Sequence, residues 1–171
     1  DLPLNLKILK FRENHFDNYY NQPLPILPSS LEELYLGADF NQLLILTPNL
    51  NLKILHFSHH SRYNYDLKYL PDTLERLIFG SNYNHLLPKL PSSLKILAFD
   101  TWNIYNGPLP DLPLGLENLV LGRKFNQRLP DLPSSLKTLI TKGAYNQLLP
   151  KLPDTLERLH ISEKYNYKLL F

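Results

Sequence analysis

Histidine, serine and tryptophan are the residues of this chain whose chemistry could reach beyond packing. His15, His59 and His60 raise the question of a metal ion. Adjacent histidines on extended backbone point to opposite faces, so His59 and His60 do not converge on one ion there. Cysteine is absent. A Cys-based zinc site, a thiolate nucleophile and a disulfide are therefore all excluded, and no metal or other cofactor is expected. No GxSxG, phosphate-binding loop, dinucleotide glycine fingerprint or HExxH is present. Ser29-Ser30, Ser92-Ser93 and Ser134-Ser135 recur inside one phrase, PSSL, with Asp72-Thr73 and Asp154-Thr155 in the same slot. A catalytic serine occurs once; a recurring one is a corner. The chain reads as a non-enzyme.

Recognition chemistry is the alternative, and it needs exposed aromatics beside cations. Three segments supply them: RENHFDN (12–18), SHHSR (58–62) and DTWNI (100–104). Together they offer His15, Phe16, His59, His60, Arg62, Trp102 and Ile104 as candidate protein-binding residues. The same segments could equally fold back over the edge of a core. Which holds depends on the elements around them.

Those elements repeat. A first anchor leucine recurs as Leu6, Leu31, Leu52, Leu74, Leu94, Leu116, Leu136 and Leu156, a period of 20 to 25 residues. A second leucine follows three residues later, and an apolar residue two beyond that in all copies but the one with Thr141. Next comes an aromatic-Asn pair, from Tyr20-Asn21 to Tyr165-Asn166, and a leucine three residues past each Asn. One such unit cannot bury its apolar face alone; stacked units can. The period-2 end of Leu-x-x-Leu-x-(Leu/Phe) predicts a short strand, and successive strands would stack in parallel at about 4.8 Å per rung. The LPxLP segments that follow fix φ and lack N–H groups, which predicts an extended, polyproline-like return rather than a helix. The fold expected is a repeat solenoid of about eight rungs with little or no α-helix. It forms one domain over residues 1–171, itself part of a longer chain.

Within that frame the Asn column is expected to be buried, satisfying loop backbone groups, and the ring before it to lie near the surface or find a partner for its hydroxyl. Gly37, Gly80 and Gly122 follow three strands where a tight turn favours glycine. One residue past the first anchor the charge alternates in every rung: Lys7, Glu32, Lys53, Glu75, Lys95, Glu117, Lys137, Glu157. In a parallel stack these are neighbours, so the ladder would help to fix rung order.

The phrase (Phe/Tyr)-Asn-x-x-Leu-x-x-Leu-Pro-x-x-Leu-x-x-Leu-x-(Leu/Phe) resembles the FNIP repeat. That family is a leucine-rich-repeat relative of social amoebae and of giant viruses that infect amoebae. A second resemblance is to the short leucine-rich repeats of bacterial effectors, although the longer path to an aromatic before Asn favours FNIP. The resemblance implies binding on the concave strand face, through side chains between the buried leucines: Tyr35, His56, Arg76 and Arg158, with Ile54, Ile78, Ile96, Val120 and Ile140 between them. It also implies a protein-interaction scaffold. Arrays joined to an F-box are thought to act as substrate receptors of ubiquitin ligases, which requires sequence outside this chain. The alternative is a structural, self-assembling component of a giant-virus particle.

Net charge is +2, from 18 Lys+Arg against 16 Asp+Glu. That balance offers no electrostatic case for nucleic acid or an anionic membrane. No apolar run is long enough to span a bilayer as a helix, and no signal-peptide pattern opens the chain. The sixteen Asn form no N-x-Ser/Thr sequon. The expected partners are proteins, including further copies of the chain. The expected location is intracellular, in a host cytoplasm, or in a virion.

Overall fold

The structure is a computed structural model and describes residues 1–11 and 20–169. Eight strands follow one another: β1 (Ile8–Lys10), β2 (Glu33–Leu36), β3 (Ile54–Phe57), β4 (Arg76–Phe79), β5 (Ile96–Phe99), β6 (Asn118–Val120), β7 (Thr138–Ile140) and β8 (Arg158–His160). They form one parallel sheet in strict sequence order. Equivalent residues pair throughout, so that Leu9, Leu34, Leu55, Leu77, Leu97, Leu119, Leu139 and Leu159 form one row. No helix occurs among the described residues. The expected solenoid is therefore the fold observed.

Each rung begins at a corner. In seven rungs the N–H of the first anchor leucine donates to the carbonyl of the proline three residues earlier, as Leu136 does to Pro133 at 3.0 Å. The corner hydroxyl then ties its rung to the one before. Ser30 Oγ lies 2.6 and 2.8 Å from the Leu4 and Leu6 carbonyls, and Ser135 Oγ 2.7 and 2.6 Å from those of Leu114 and Leu116. Thr73 and Thr155 do the same. The recurring Ser/Thr is thus structural, as its repetition predicts.

Anchor leucines of the inner rungs are fully buried, while Leu6, Leu9, Leu156 and Leu159 are only partly so. An end rung has one neighbour to cover it and an inner rung has two. At about 1.5–3 kcal/mol for each fully buried leucine, the paired rows supply most of the fold's driving force.

The Asn of the aromatic-Asn pair lies outside rather than buried as expected, while for the ring the second alternative holds: it is buried and hydroxyls such as those of Tyr83 and Tyr105 find backbone carbonyls. The rings are the buried members, and they form a continuous column: Tyr20, Phe40, Tyr63, Tyr83, Tyr105, Phe125, Tyr145 and Tyr165, with centroids 6.1 to 6.5 Å apart. Strand-end rings Phe57, Phe79 and Phe99 stack beside it, each on its own rung's tyrosine at 4.1 to 4.9 Å. The asparagines are exposed or half-buried and run along the surface. Each accepts from the next Asn's backbone N–H, as Asn64 Oδ1 does from Asn84 at 2.9 Å, in every step but that from Asn84 to Asn106. A ring carries far more apolar area than an amide, so the ring takes the interior and the amide keeps water as a second partner.

The charge ladder is present. A backbone N–H to carbonyl bond joins every successive pair from Lys7 to Glu157, so the side chains are rung neighbours throughout. Ion pairs close four of the seven steps: Lys7–Glu32 at 3.1 Å, Glu32–Lys53 at 2.7 Å, Glu75–Lys95 at 2.8 Å and Glu117–Lys137 at 2.9 Å. From Lys53 on, each lysine reaches back to the preceding rung's glutamate, which leaves the alternate steps open.

Candidate functional site

Two surfaces carry the candidate residues: the solvent face of the sheet and the edge where strands turn towards the Asn ladder. On the sheet face Tyr35 and His56 meet as neighbours of β2 and β3, rings edge-on at 5.5 Å. Lys10 lies over the Tyr35 ring at 5.0 Å, and the Tyr35 hydroxyl donates to Glu33 Oε2 at 2.8 Å. That bond to a carboxylate, with lesser burial, raises the Tyr35 pKa above the ordinary tyrosine value. Arg76 is one strand on from His56. Arg158 lies on β8, four rungs further, or about 19 Å at the usual strand spacing. Between them Ile54, Ile78, Ile96, Val120 and Ile140 are half-buried. Tyr35, His56 and Arg76 are thus brought together, and Arg158 stands apart.

The turn edge is more elaborate. His59 pairs through Nδ1 with Asp100 Oδ2, and its ring packs on His60 at 4.4 Å. Asp100 Oδ1 accepts from the Trp102 backbone N–H at 2.8 Å and lies 3.3 Å from Ser81 Oγ. Ser81 Oγ also donates to the His59 carbonyl at 2.7 Å. Ser81 therefore contacts the carboxylate and the backbone rather than the imidazole, and no Ser-His-Asp proton relay is built here. Among the described residues no three His, Cys, Asp or Glu side chains converge as a metal site.

Beside this network Trp102 is 54% exposed and Ile104 40% exposed. The guanidinium carbon of Arg123 sits over the indole at 4.7 Å from its centroid, a cation–π contact. Lys142 Nζ donates to Thr101 Oγ1 at 2.6 Å. Arg62 leans away from this group to pair with Asp39 at 3.4 Å. His15 and Phe16 fall outside the described residues. The edge loops thus do both things the sequence left open. Asn103 anchors the second loop: it is fully buried, receives the Tyr105 N–H at 2.7 Å and donates to the Gly80 carbonyl. Trp102, one residue earlier, stays outside.

Glycine explains how loops of two rungs meet across a third. His59 reaches Asp100 past rung four, and Lys142 reaches Thr101 past rung six; those rungs carry Gly80 and Gly122 at the strand end. A Cβ on Gly80 would strike the Ser58 carbonyl and Ser61, and one on Gly122 would meet Asn103 Cβ and the Asp100 carbonyl. Neither has positive φ; of the described residues only Gly143 does, at +56°. The turn requirement expected at these positions is therefore replaced by one for space. Asp39, Ser81, Thr101, Arg123 and Lys142 are site neighbours that the repeat alignment did not single out. The glycine following each long loop was the available signal.

A groove of about 1040 Å³ runs along the Pro-rich corners on the return side. Its lining mixes Lys68 and Lys89 with Asp72 and Asp111, so neither sign prevails. No described helix is long and apolar enough to cross a membrane.

A one-sheet parallel solenoid with leucine rows inside defines the class: this is a leucine-rich-repeat-like protein. Two solved structures share the fold. One is described as the crystal structure of CroV588, a novel circular LRR protein, with 27% identity over 96% of this chain and a TM-score of 0.66. The other is YopM from Yersinia enterocolitica WA-314, with 31% identity over 94% and a TM-score of 0.62. The chain spans 28% and 38% of their respective lengths. Residues 20–50 match the family described as FNIP Repeat. No curated protein matches its sequence.

Proposed function

We propose that this solenoid is a protein-interaction scaffold whose partner-facing surface is the turn edge around Trp102. The observation that carries the reading is an exposed indole on a residue held from several sides: the Trp102 backbone N–H donates to Asp100, its ring lies under Arg123, and its loop is anchored by buried Asn103. Tryptophan and arginine dominate binding hot spots because they offer large contact area, and an anchor already held in place loses little entropy on binding. His59, His60 and Ile104 surround it and extend the surface, and Arg62 belongs to the same edge by sequence position. The Tyr35, His56 and Arg76 group on the sheet face is a second, smaller contact surface. The FNIP relationship extends the reading to substrate recognition within a larger F-box-type adaptor.

A photo-crosslinking residue at position 102, compared with one at position 35, tests the assignment in lysate of the host cell. The edge reading expects a discrete crosslinked partner at 102. Crosslinks confined to position 35 would move the binding surface to the sheet face.

The self-assembling alternative receives no comparable support. Continuous leucine and aromatic columns are what any stack of such rungs needs, with or without a second copy.

A further inference from the structure

The charges of the turn edge are not evenly matched. Asp100 is the carboxylate nearest to Trp102, and both its oxygens are engaged, by Ser81, the Trp102 N–H and His59. Asp39 is paired with Arg62. Two cations remain beside the indole. Arg123 rests on the Trp102 ring, and Lys142 has the Thr101 hydroxyl as its partner at 2.6 Å. Among the described residues neither forms an ion pair with a carboxylate, and Glu163, one rung beyond Lys142, pairs with neither. Both cations are seated on the Thr101-Trp102 dipeptide, so they share one platform. Exposed Lys124 lies next to Arg123 in the same turn.

We infer that the edge from Trp102 to Lys142 docks an acidic peptide segment of a protein partner, with Arg123 and Lys142 receiving its carboxylates and the Trp102 indole an adjoining apolar group. This rests on the reading of the edge as the protein-binding surface and adds the chemistry of what binds there. Guanidinium and ammonium donors without a carboxylate form strong charge-assisted hydrogen bonds with one supplied from outside. An ammonium has three donors, and Thr101 takes one. Two or three cations suit a short acidic stretch and are too few to follow a nucleic-acid backbone, whose binding grows with the number of phosphates neutralised. The indole and Ile104 supply apolar area that a free small anion would leave unused.

Trp102 is the only tryptophan, so its emission reports on this site alone. The whole chain is titrated with hexaglutamate, with hexalysine and with inorganic phosphate. Hexaglutamate is expected to change Trp102 emission saturably, with affinity falling as salt is added, and hexalysine is expected to leave it unchanged. Arg123→Ala combined with Lys142→Gln should weaken hexaglutamate by about tenfold or more, whereas Lys151→Ala on the return side should not. Glutamine keeps a donor for Thr101, and an unchanged melting temperature certifies the fold. No saturable change, an equal response in the double variant, or an equal response to phosphate alone would each overturn the proposal. Crosslinking of a partner at position 102 together with failure of hexaglutamate would leave the edge reading standing and refute the acidic-peptide assignment.

Discussion

His59 Nδ1 and Asp100 Oδ2 are hydrogen-bonded across 41 positions of sequence, from the third rung to the fifth, and the rung between them carries Gly80, packed on Ser58 and Ser61. This contact joins two loops into one surface, and the same arrangement recurs where Lys142 reaches Thr101 past Gly122.

Gly80→Ala and Gly122→Ala should therefore destabilise the chain. The added methyl meets backbone carbonyl and Cβ atoms that cannot swing aside, at a cost of about 1–3 kcal/mol. Gly115→Ala is the control, since its nearest neighbour would be the Ser92 carbonyl at 3.7 Å, an ordinary contact. Urea unfolding of the three variants checks this; equal midpoints would show that the glycines are not needed for space.

The tyrosines of the buried column differ in what their hydroxyls find. Tyr105 donates to the Pro108 carbonyl at 2.7 Å, while the enclosed Tyr145 hydroxyl has no partner among the described residues. Phe40 and Phe125 already occupy equivalent slots. Tyr105→Phe should cost about 0.5–1.5 kcal/mol, and Tyr145→Phe should be neutral or stabilising. Differential scanning calorimetry separates them; the reverse order would contradict the hydrogen-bond assignment.

Burial raises the pKa of Tyr63, Tyr83 and Tyr145 well above the usual value and that of Tyr105 up to about 12. In the unfolded chain these groups ionise near pH ~10. Between the two values the unfolded state has lost protons that the folded state retains, so stability falls as pH rises. It is fully present below pH ~10 and is lost above it. Tyrosinate absorbance and circular dichroism should change together in an alkaline titration. Reversible titration of all eleven tyrosines near pH ~10 with unaltered dichroism would contradict the buried column.

Asn64→Ala removes the acceptor for the Asn84 N–H, but at a surface where water can replace it. The expected loss is about 0.5–1.5 kcal/mol, and no buried polar group is stranded. Amide exchange should quicken at Asn84; a loss above about 3 kcal/mol would indicate an interior column after all.

The period, the parallel order and the Pro-rich return are legible because each rung states them again: the Leu31–Leu34 spacing, repeated eight times, has few other solutions. The charge ladder is legible for the same reason. The side on which the Asn lies is not legible, because an amide can serve a buried column or a surface one; the ring's alternative of a partnered hydroxyl holds, with Tyr105 inside and its oxygen donating to a carbonyl of the return segment. Contacts that skip a rung lie beyond repeat reasoning altogether. Alignment pairs Lys142 with its counterparts in neighbouring units and says nothing of a hydroxyl 41 residues earlier. The edge became a site only when the third, fifth, sixth and seventh rungs were seen together.

The most direct test of the account is retention of a partner protein on immobilised chain, with Trp102→Ala compared against Tyr35→Ala at matched melting temperature. The turn-edge account predicts that Trp102→Ala loses the partner and Tyr35→Ala keeps it. Retention by Trp102→Ala with loss by Tyr35→Ala would contradict it and place recognition on the face of the sheet.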